Sequence, residues 1–141
     1  MRRDACHDAT FRAEPFAIRA ALQTIVAGPV LAAVDPDTRA VTELVLAEVL
    51  NNVAEHAYAG LGGPVSLRIR LHARGLACRI ADGGARMPDG RLPDGAAAGP
   101  DPASLPQGGF GWPLIRALTR GLRYRRAAGC NVLVFTVPRN S

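Results

Sequence analysis

The polar and apolar positions of the chain follow two periods. In "PVSLRIRLHARG", residues 64–75, Val65, Leu67, Ile69 and Leu71 alternate with Ser66, Arg68, Arg70 and His72. That period of two is the mark of a half-buried strand. Gly75 turns the chain into "LACRIAD", a second strand ending at Asp82. "LRYRR", the turn "AAGC" and "NVLVFTV" make another hairpin near the end, and "ATFRA" makes a short strand near the start. Helical spacing fills the remainder. Pro15 suits the first turn of a helix carrying Ile18, Leu22, Ile25 and Val26, which "GP" at 28–29 ends. Asp35 and Pro36 read as an N-cap and a first-turn proline, opening a helix that runs to about Tyr58. "GWPLIRALTRG" reads as a helix with Gly121 as its stop. The order β-α-α-β-β-loop-α-β-β predicts an α+β fold. It is a two-layer α/β sandwich, with a mixed, mostly antiparallel sheet and helices on one face. No repeat or linker divides residues 1–141, so a single domain is expected.

Composition narrows the chemistry. At 48% hydrophobic and 21% charged residues, the chain is of ordinary globular type. No apolar run approaches a membrane span, and "MRRDACHDATF" does not read as a secretory signal. Three widely spaced cysteines argue against a disulfide framework and for a reducing cytoplasm. Cys78 and Cys130 read as small core residues, His72 as a surface residue, and Phe110 and Trp112 as packing residues that could also cover a ligand. The cysteines and histidines have no recognised zinc spacing.

The net charge is +5, and every basic side chain is arginine. Without lysine there is no phosphate loop of the Gly-Lys-Ser/Thr type and no Schiff base. From Trp112 onward there are six arginines and no acid, whereas residues 82–107 hold four aspartates against two arginines. Few aromatics and no nucleic-acid motif point to a solvated or partner-facing surface, with no direct nucleic-acid partner.

"AEVLNNVAEHAY", residues 47–58, places Glu48, Asn52, Glu55 and His56 on one side of a helix, with Leu46, Leu50, Val53 and Ala57 on the other, towards a core. The polar side is either plain solvated helix or a site. Two details favour a site. Val41, Leu44 and Val45 lie near the same side one turn earlier, and the set is short and acceptor-rich. A carboxylate and an amide oxygen four residues apart are hard donors: asparagine suits Mg²⁺, and glutamate can take a proton. The Gly/Pro-rich stretch from Gly83 to Gly109, with five prolines, is long for a loop within one domain. It leaves a strand as "IADGGARMP" and enters a helix as "QGGFGWPLI", where glycines and a helix N-terminus can approach an anion. Asp82 can accept a hydrogen bond from a base amino group.

Taken in order, "ELVLAEVLNNVAEHAY", "IADGGARMPDG", "GGFGWPLIRALT" and "YRRAAGCNVLVFTVP" resemble the N, G1 and G2 boxes of the histidine-kinase-like ATPases. Within that superfamily the likeness is closest to the stand-alone anti-sigma serine kinases, and it covers about residues 11–138. The resemblance implies ATP and Mg²⁺ as ligands, with Glu48 as catalytic base and Asn52 as the Mg²⁺-binding asparagine. It implies His56 at the helix end, Asp82 on the adenine amino group with Gly84 beside it, and Gly109, Phe110 and Gly111 on the phosphate side. Residues 85–108 would form the ATP lid. Arg86 stands where the superfamily has a second G1 glycine, Asn131 stands near the base where many members have threonine, and Trp112 and Pro113 replace smaller residues.

The implied partners are a sigma factor and an anti-anti-sigma protein of STAS type, the latter phosphorylated on serine. No membrane partner is implied, and the family's frequent dimers make a homodimer admissible. Two alternatives remain: an ATP-gated binding module without phosphoryl transfer, and a detached histidine-kinase catalytic domain.

Overall fold

The computed structural model describes residues 5–93 and 111–140. Five strands form one sheet: β1 (Cys6–Arg12), β2 (Pro64–His72), β3 (Gly75–Asp82), β4 (Arg120–Ala127) and β5 (Cys130–Pro138). Their order is β1-β2-β3-β5-β4, and every pair is antiparallel. The sheet expected to be mixed therefore has no parallel ladder among the described residues. The helices α1 (Pro15–Ala27), α2 (Pro29–Ala32), α3 (Pro36–Asn52) and α4 (Gly111–Leu118) pack on one side of it, giving the α+β architecture.

The alternation seen in the sequence becomes this division of faces. Paired residues of an antiparallel ladder point the same way. Val65, Leu67 and Ile69 of β2 share a face with Ile80 and Cys78 of β3, and with Leu133 and Phe135 of β5. All are buried and meet Ile18 and Ile25 of α1, Leu46 and Leu50 of α3, and Ile115 of α4. Leu46 and Leu50 are wholly buried, and each such side chain contributes roughly 2 kcal/mol by leaving water.

The N-cap at Asp35 forms as its sequence predicts. Its Oδ2 accepts from the Thr38 backbone N–H at 3.0 Å, its Oδ1 accepts from the Thr38 hydroxyl, and Pro36 occupies the first turn. These bonds, the hydroxyl's first, hold the Asp35 carboxyl down at about 2 from an ordinary 3.8.

Four expectations need correction. The first strand begins at Cys6, three residues before "ATFRA", because its ladder with β2 runs as far as Arg70. Gly121 does not stop a helix. The helix ends at Leu118, and Gly121, at φ 64°, lies in a bulge of β4 between Arg120 and Arg123. Cys130 is exposed at the hairpin turn, whereas Cys78 is buried as expected. The α-helix expected to reach Tyr58 changes at Asn52 to a π-helical turn, Val53–Ala57, where the Tyr58 N–H reaches back to the Val53 carbonyl at 3.0 Å.

Candidate functional site

The long helix α3 positions the first half of the site. Glu48 is half-buried, and Asn52, one turn on, is only 7% exposed. Asn52 Nδ2 is buried with no hydrogen-bond partner among the described residues. A buried amide nitrogen without a partner is costly, so this one fits a position that serves a ligand. Gly111, the first described residue of α4, closes on both side chains. A Cβ placed there would stand 2.7 Å from Glu48 Oε2 and 3.3 Å from Asn52 Nδ2. Glu48, Asn52 and Gly111 are thus brought together across 59 residues of chain.

The π-helical turn breaks the rest of the polar stripe. On a regular helix Glu55 and His56 continue the line of Glu48 and Asn52. Here both are exposed, and His56 Nε2 lies 3.9 Å from the Glu55 carboxylate. The turn also aims the Ala57 carbonyl at the loop after β3, where it accepts from the Ala85 N–H at 2.8 Å. A Cβ on Gly84 would overlap that same carbonyl oxygen, so only glycine fits.

Asp82 closes β3 and carries the second half. It is 7% exposed and faces the helices at the end of the sheet, in register with Asn131 of β5. Its Oδ1 accepts from the Gly84 N–H at 2.9 Å and from Asn131 Nδ2 at 2.8 Å. Among the described residues nothing donates to Oδ2, which leaves that oxygen for a ligand. Asn131 uses all its capacity. Nδ2 also donates to the Ala85 carbonyl at 2.8 Å, while Oδ1 accepts from the Tyr124 hydroxyl and, at 3.0 Å, from Arg126 Nη1. Arg126 further donates to the Gly84 carbonyl at 2.6 Å, and the Tyr124 oxygen accepts from the Met87 N–H at 3.1 Å. Every bond of Asn131 runs within the protein, so it holds Asp82 in place. Gly109, Phe110 and most of the expected lid, beyond residue 93, lie outside the described residues.

Three contributors escaped the sequence reading. Tyr58 donates its hydroxyl to the Pro64 carbonyl at 2.6 Å and accepts from the Gly83 N–H at 2.8 Å, pinning the loop after β3. Nothing in a single chain marks that role. Tyr124 and Arg126 were signalled: in "LRYRR" the even positions alternate inward with Leu122.

The donor set fits a nucleotide with a divalent ion. Asn52's amide presents Nδ2 to a phosphate oxygen, or, turned by half a rotation, Oδ1 to a hard cation. Asp82 Oδ2 suits an exocyclic amino group. The geometry therefore defines an α+β domain whose candidate site lies where the end of the sheet meets α3 and α4. The match to a family model agrees: residues 11–137 match the histidine kinase-like ATPase domain, and the chain belongs to that family. Domains of this family bind ATP, usually with Mg²⁺. No curated protein matches the chain. No described helix is long and apolar enough to cross a membrane.

Proposed function

We propose that the protein is an ATP-binding anti-sigma regulatory factor with protein serine kinase activity. It binds a sigma factor and passes the γ-phosphoryl group of ATP to a serine of a STAS-type anti-anti-sigma partner. The observation that carries the reading is the convergence on Gly111 of the Glu48 carboxylate and the Asn52 amide, whose Nδ2 has no partner among the described residues. The resemblance of the boxes to the anti-sigma kinases supplies the partners and the cytoplasmic setting. The histidine kinase-like fold supports an ATP-using enzyme.

In this reading Asp82 Oδ2 accepts from the adenine amino group, and Asn131 keeps the carboxylate turned to do so. Asn52 would hold the Mg²⁺, which would supply neutralisation of phosphate charge. Glu48 takes the proton of the serine hydroxyl as its oxygen bonds to the γ-phosphorus and the bond to the ADP oxygen breaks. His56, Gly84, Gly109, Phe110 and Gly111 complete the nucleotide set by resemblance.

The test is a pull-down from native lysate with and without ATP, followed by phosphate transfer to the recovered partner. Glu48→Gln keeps the shape and removes the charge. It is expected to leave ATP affinity unchanged while transfer falls on the order of 10²–10⁴-fold. Asn52→Ala is expected to weaken Mg²⁺-dependent ATP binding itself. Wild type that transfers no phosphate, yet changes partner affinity with ATP, would make the protein a binding module.

A further inference from the structure

The sheet face turned away from the helices has a composition that nucleotide chemistry does not use. Its residues follow from the ladder pairing. One row across the strands reads Asp8, Arg68, Arg79, Val134 and Arg123. The row beside it reads Cys6, Arg70, Ala77, Thr136 and Arg120, and a third reads Thr10, Ser66, Ala81, Val132 and Arg125. Six arginines therefore share one open face, and all six are exposed. The only acid in those rows is Asp8, which takes Arg68 Nε at 2.7 Å. No described residue forms an ion pair with the other five.

The arginines are not scattered. Along β5 the outward positions are Val132, which is buried, and Val134 and Thr136, which are half-buried; the two valines and the threonine methyl make a mainly apolar rail. Arg68, Arg70 and Arg79 flank it on the β2–β3 side, and Arg120, Arg123 and Arg125 flank it on the β4 side. The β4 bulge at Gly121 and the small Ala77 leave a notch beside the rail of about 290 Å³. It is lined by Arg68, Arg70, Arg79, Gly121, Val134 and Thr136.

Like charges held this close on a sheet repel one another and are kept only at a cost in stability. Here no described acid except Asp8 offsets them.

The geometry points to this face as the docking surface for an acidic amphipathic helix of a partner protein, with its apolar stripe on the β5 rail and carboxylates along both flanks. The rail spans four residue steps, roughly 14 Å at strand spacing, which matches about nine residues of α-helix. Guanidinium forks take carboxylates in two parallel hydrogen bonds. The Asp8–Arg68 contact, a single bond from Nε to Oδ1, shows that a carboxylate can pair with this face. A second copy of the chain would set six arginines against six, so the occupant is not this same face. Nucleic acid fits less well, because these rows hold no aromatic for base stacking and no projecting element for a groove.

The surface lies on the side of the sheet opposite Glu48, Asn52 and Asp82, so its test is independent of nucleotide. The probe is a synthetic fourteen-residue helical peptide with a leucine stripe flanked by glutamates on both sides, and its counterpart with glutamines. Binding to the full chain is read by fluorescence anisotropy at two salt concentrations. A 20-base-pair duplex and phosphatidylserine vesicles serve as competitors. The glutamate peptide is expected to bind, to weaken several-fold as salt rises, and to bind at least tenfold more tightly than the glutamine peptide. R79E combined with R123E is expected to weaken it at least tenfold. Because both positions are exposed, the fold and ATP affinity of that variant should stay as in wild type. The milder pair R79Q and R123Q should fall between. Equal binding of the two peptides, no binding at millimolar peptide, or binding unaffected by both variant pairs would overturn the proposal. Displacement of the peptide by duplex or vesicles at lower concentration than by unlabelled peptide would assign the face to that ligand instead.

Discussion

Replacing Gly111 with alanine isolates the contact on which the proposed site depends. The new Cβ would stand 2.7 Å from Glu48 Oε2, and ordinary contact begins at 3.4 Å, so the carboxylate must retreat by about 0.7 Å. Asn52 Nδ2, at 3.3 Å, has almost nothing to yield. The cost to the fold is small, because the displaced atom is the free end of a half-buried, flexible side chain. A shift of this size at a reacting group is large for catalysis, since an ångström of misplacement costs on the order of 10²-fold in rate. Gly111→Ala should therefore slow single-turnover phosphate transfer about 10- to 100-fold. Mg²⁺-dependent ATP affinity by calorimetry should stay within about threefold, and stability should shift by less than about 0.5 kcal/mol. Transfer at the wild-type rate would mean that Glu48 is not the group whose position limits the reaction. A parallel loss of affinity and rate would mean that the contact serves binding alone.

Calorimetric titration should show ATP preferred to GTP, because Asp82 Oδ2 can accept from the adenine amino group but faces a carbonyl oxygen in guanine; equal affinity would remove Asp82 from that role. Of the three thiols, Cys6 and Cys130 are exposed, while burial pushes Cys78 up to about 12. An aromatic disulfide reagent should therefore titrate two thiols in the native protein and the third only after denaturation. Asp35, held at about 2 in the fold against an ordinary 3.8, lends α3 stability that is full above about pH 4 and lost as pH falls through 2. The difference in Tm between wild type and Asp35→Ala should accordingly narrow across that window, and a constant difference would discount the charged cap.

What the sequence revealed depended on how local the signal was. Strict alternation in "PVSLRIRL" fixed the buried face of β2, because a period of two leaves only which side is wet. Asp35 and Pro36 fixed the start of α3, since an N-cap acts within three residues. The end of α3 was not legible. The π turn at Val53–Ala57 goes with the loop after β3, whose Ala85 N–H donates to the Ala57 carbonyl while Gly84, lacking a Cβ, lets that carbonyl approach. A wheel drawn at a constant 100° per residue cannot include a contact 28 residues away, so it kept Glu55 and His56 in line with Asn52. Gly121 misled for a related reason. As a single residue it reads equally as a helix stop or as a bulge, and only the register against β5 decides. Glu48, Asn52 and Asp82 could be picked out as chemistry, but the network behind Asp82 could not. Asn131 bonds to Asp82 and Ala85 on one side and to Tyr124 and Arg126 on the other; alternation in "LRYRR" marks the last two as sharing a side, but nothing periodic says that they meet Asn131.

The strand β4 shows why that network and the arginine face are linked in one short sequence. In "RYRRA" the side chains alternate: Tyr124 and Arg126 turn inward to Asn131, while Arg123 and Arg125 turn outward beside Val134 and Val132. A slip of one residue would exchange the sets. Arg123 and Arg125 would then turn to the inner side of this edge strand, and the present bonds of Tyr124 and Arg126 to Asn131 Oδ1 would be broken. The loss of those bonds disfavours the slip. The bulge between Arg120 and Arg123 absorbs one extra residue and lets the strand leave α4 yet enter this register. At φ 64° Gly121 meets that requirement where a residue with a Cβ would be strained. Threonine at position 131 could not replace the arrangement, because a single hydroxyl donates once, whereas the amide donates to both Asp82 and Ala85. Asparagine at this position thus requires inward donors on the edge strand. The same strand's alternation then leaves two arginines facing the open side of the sheet.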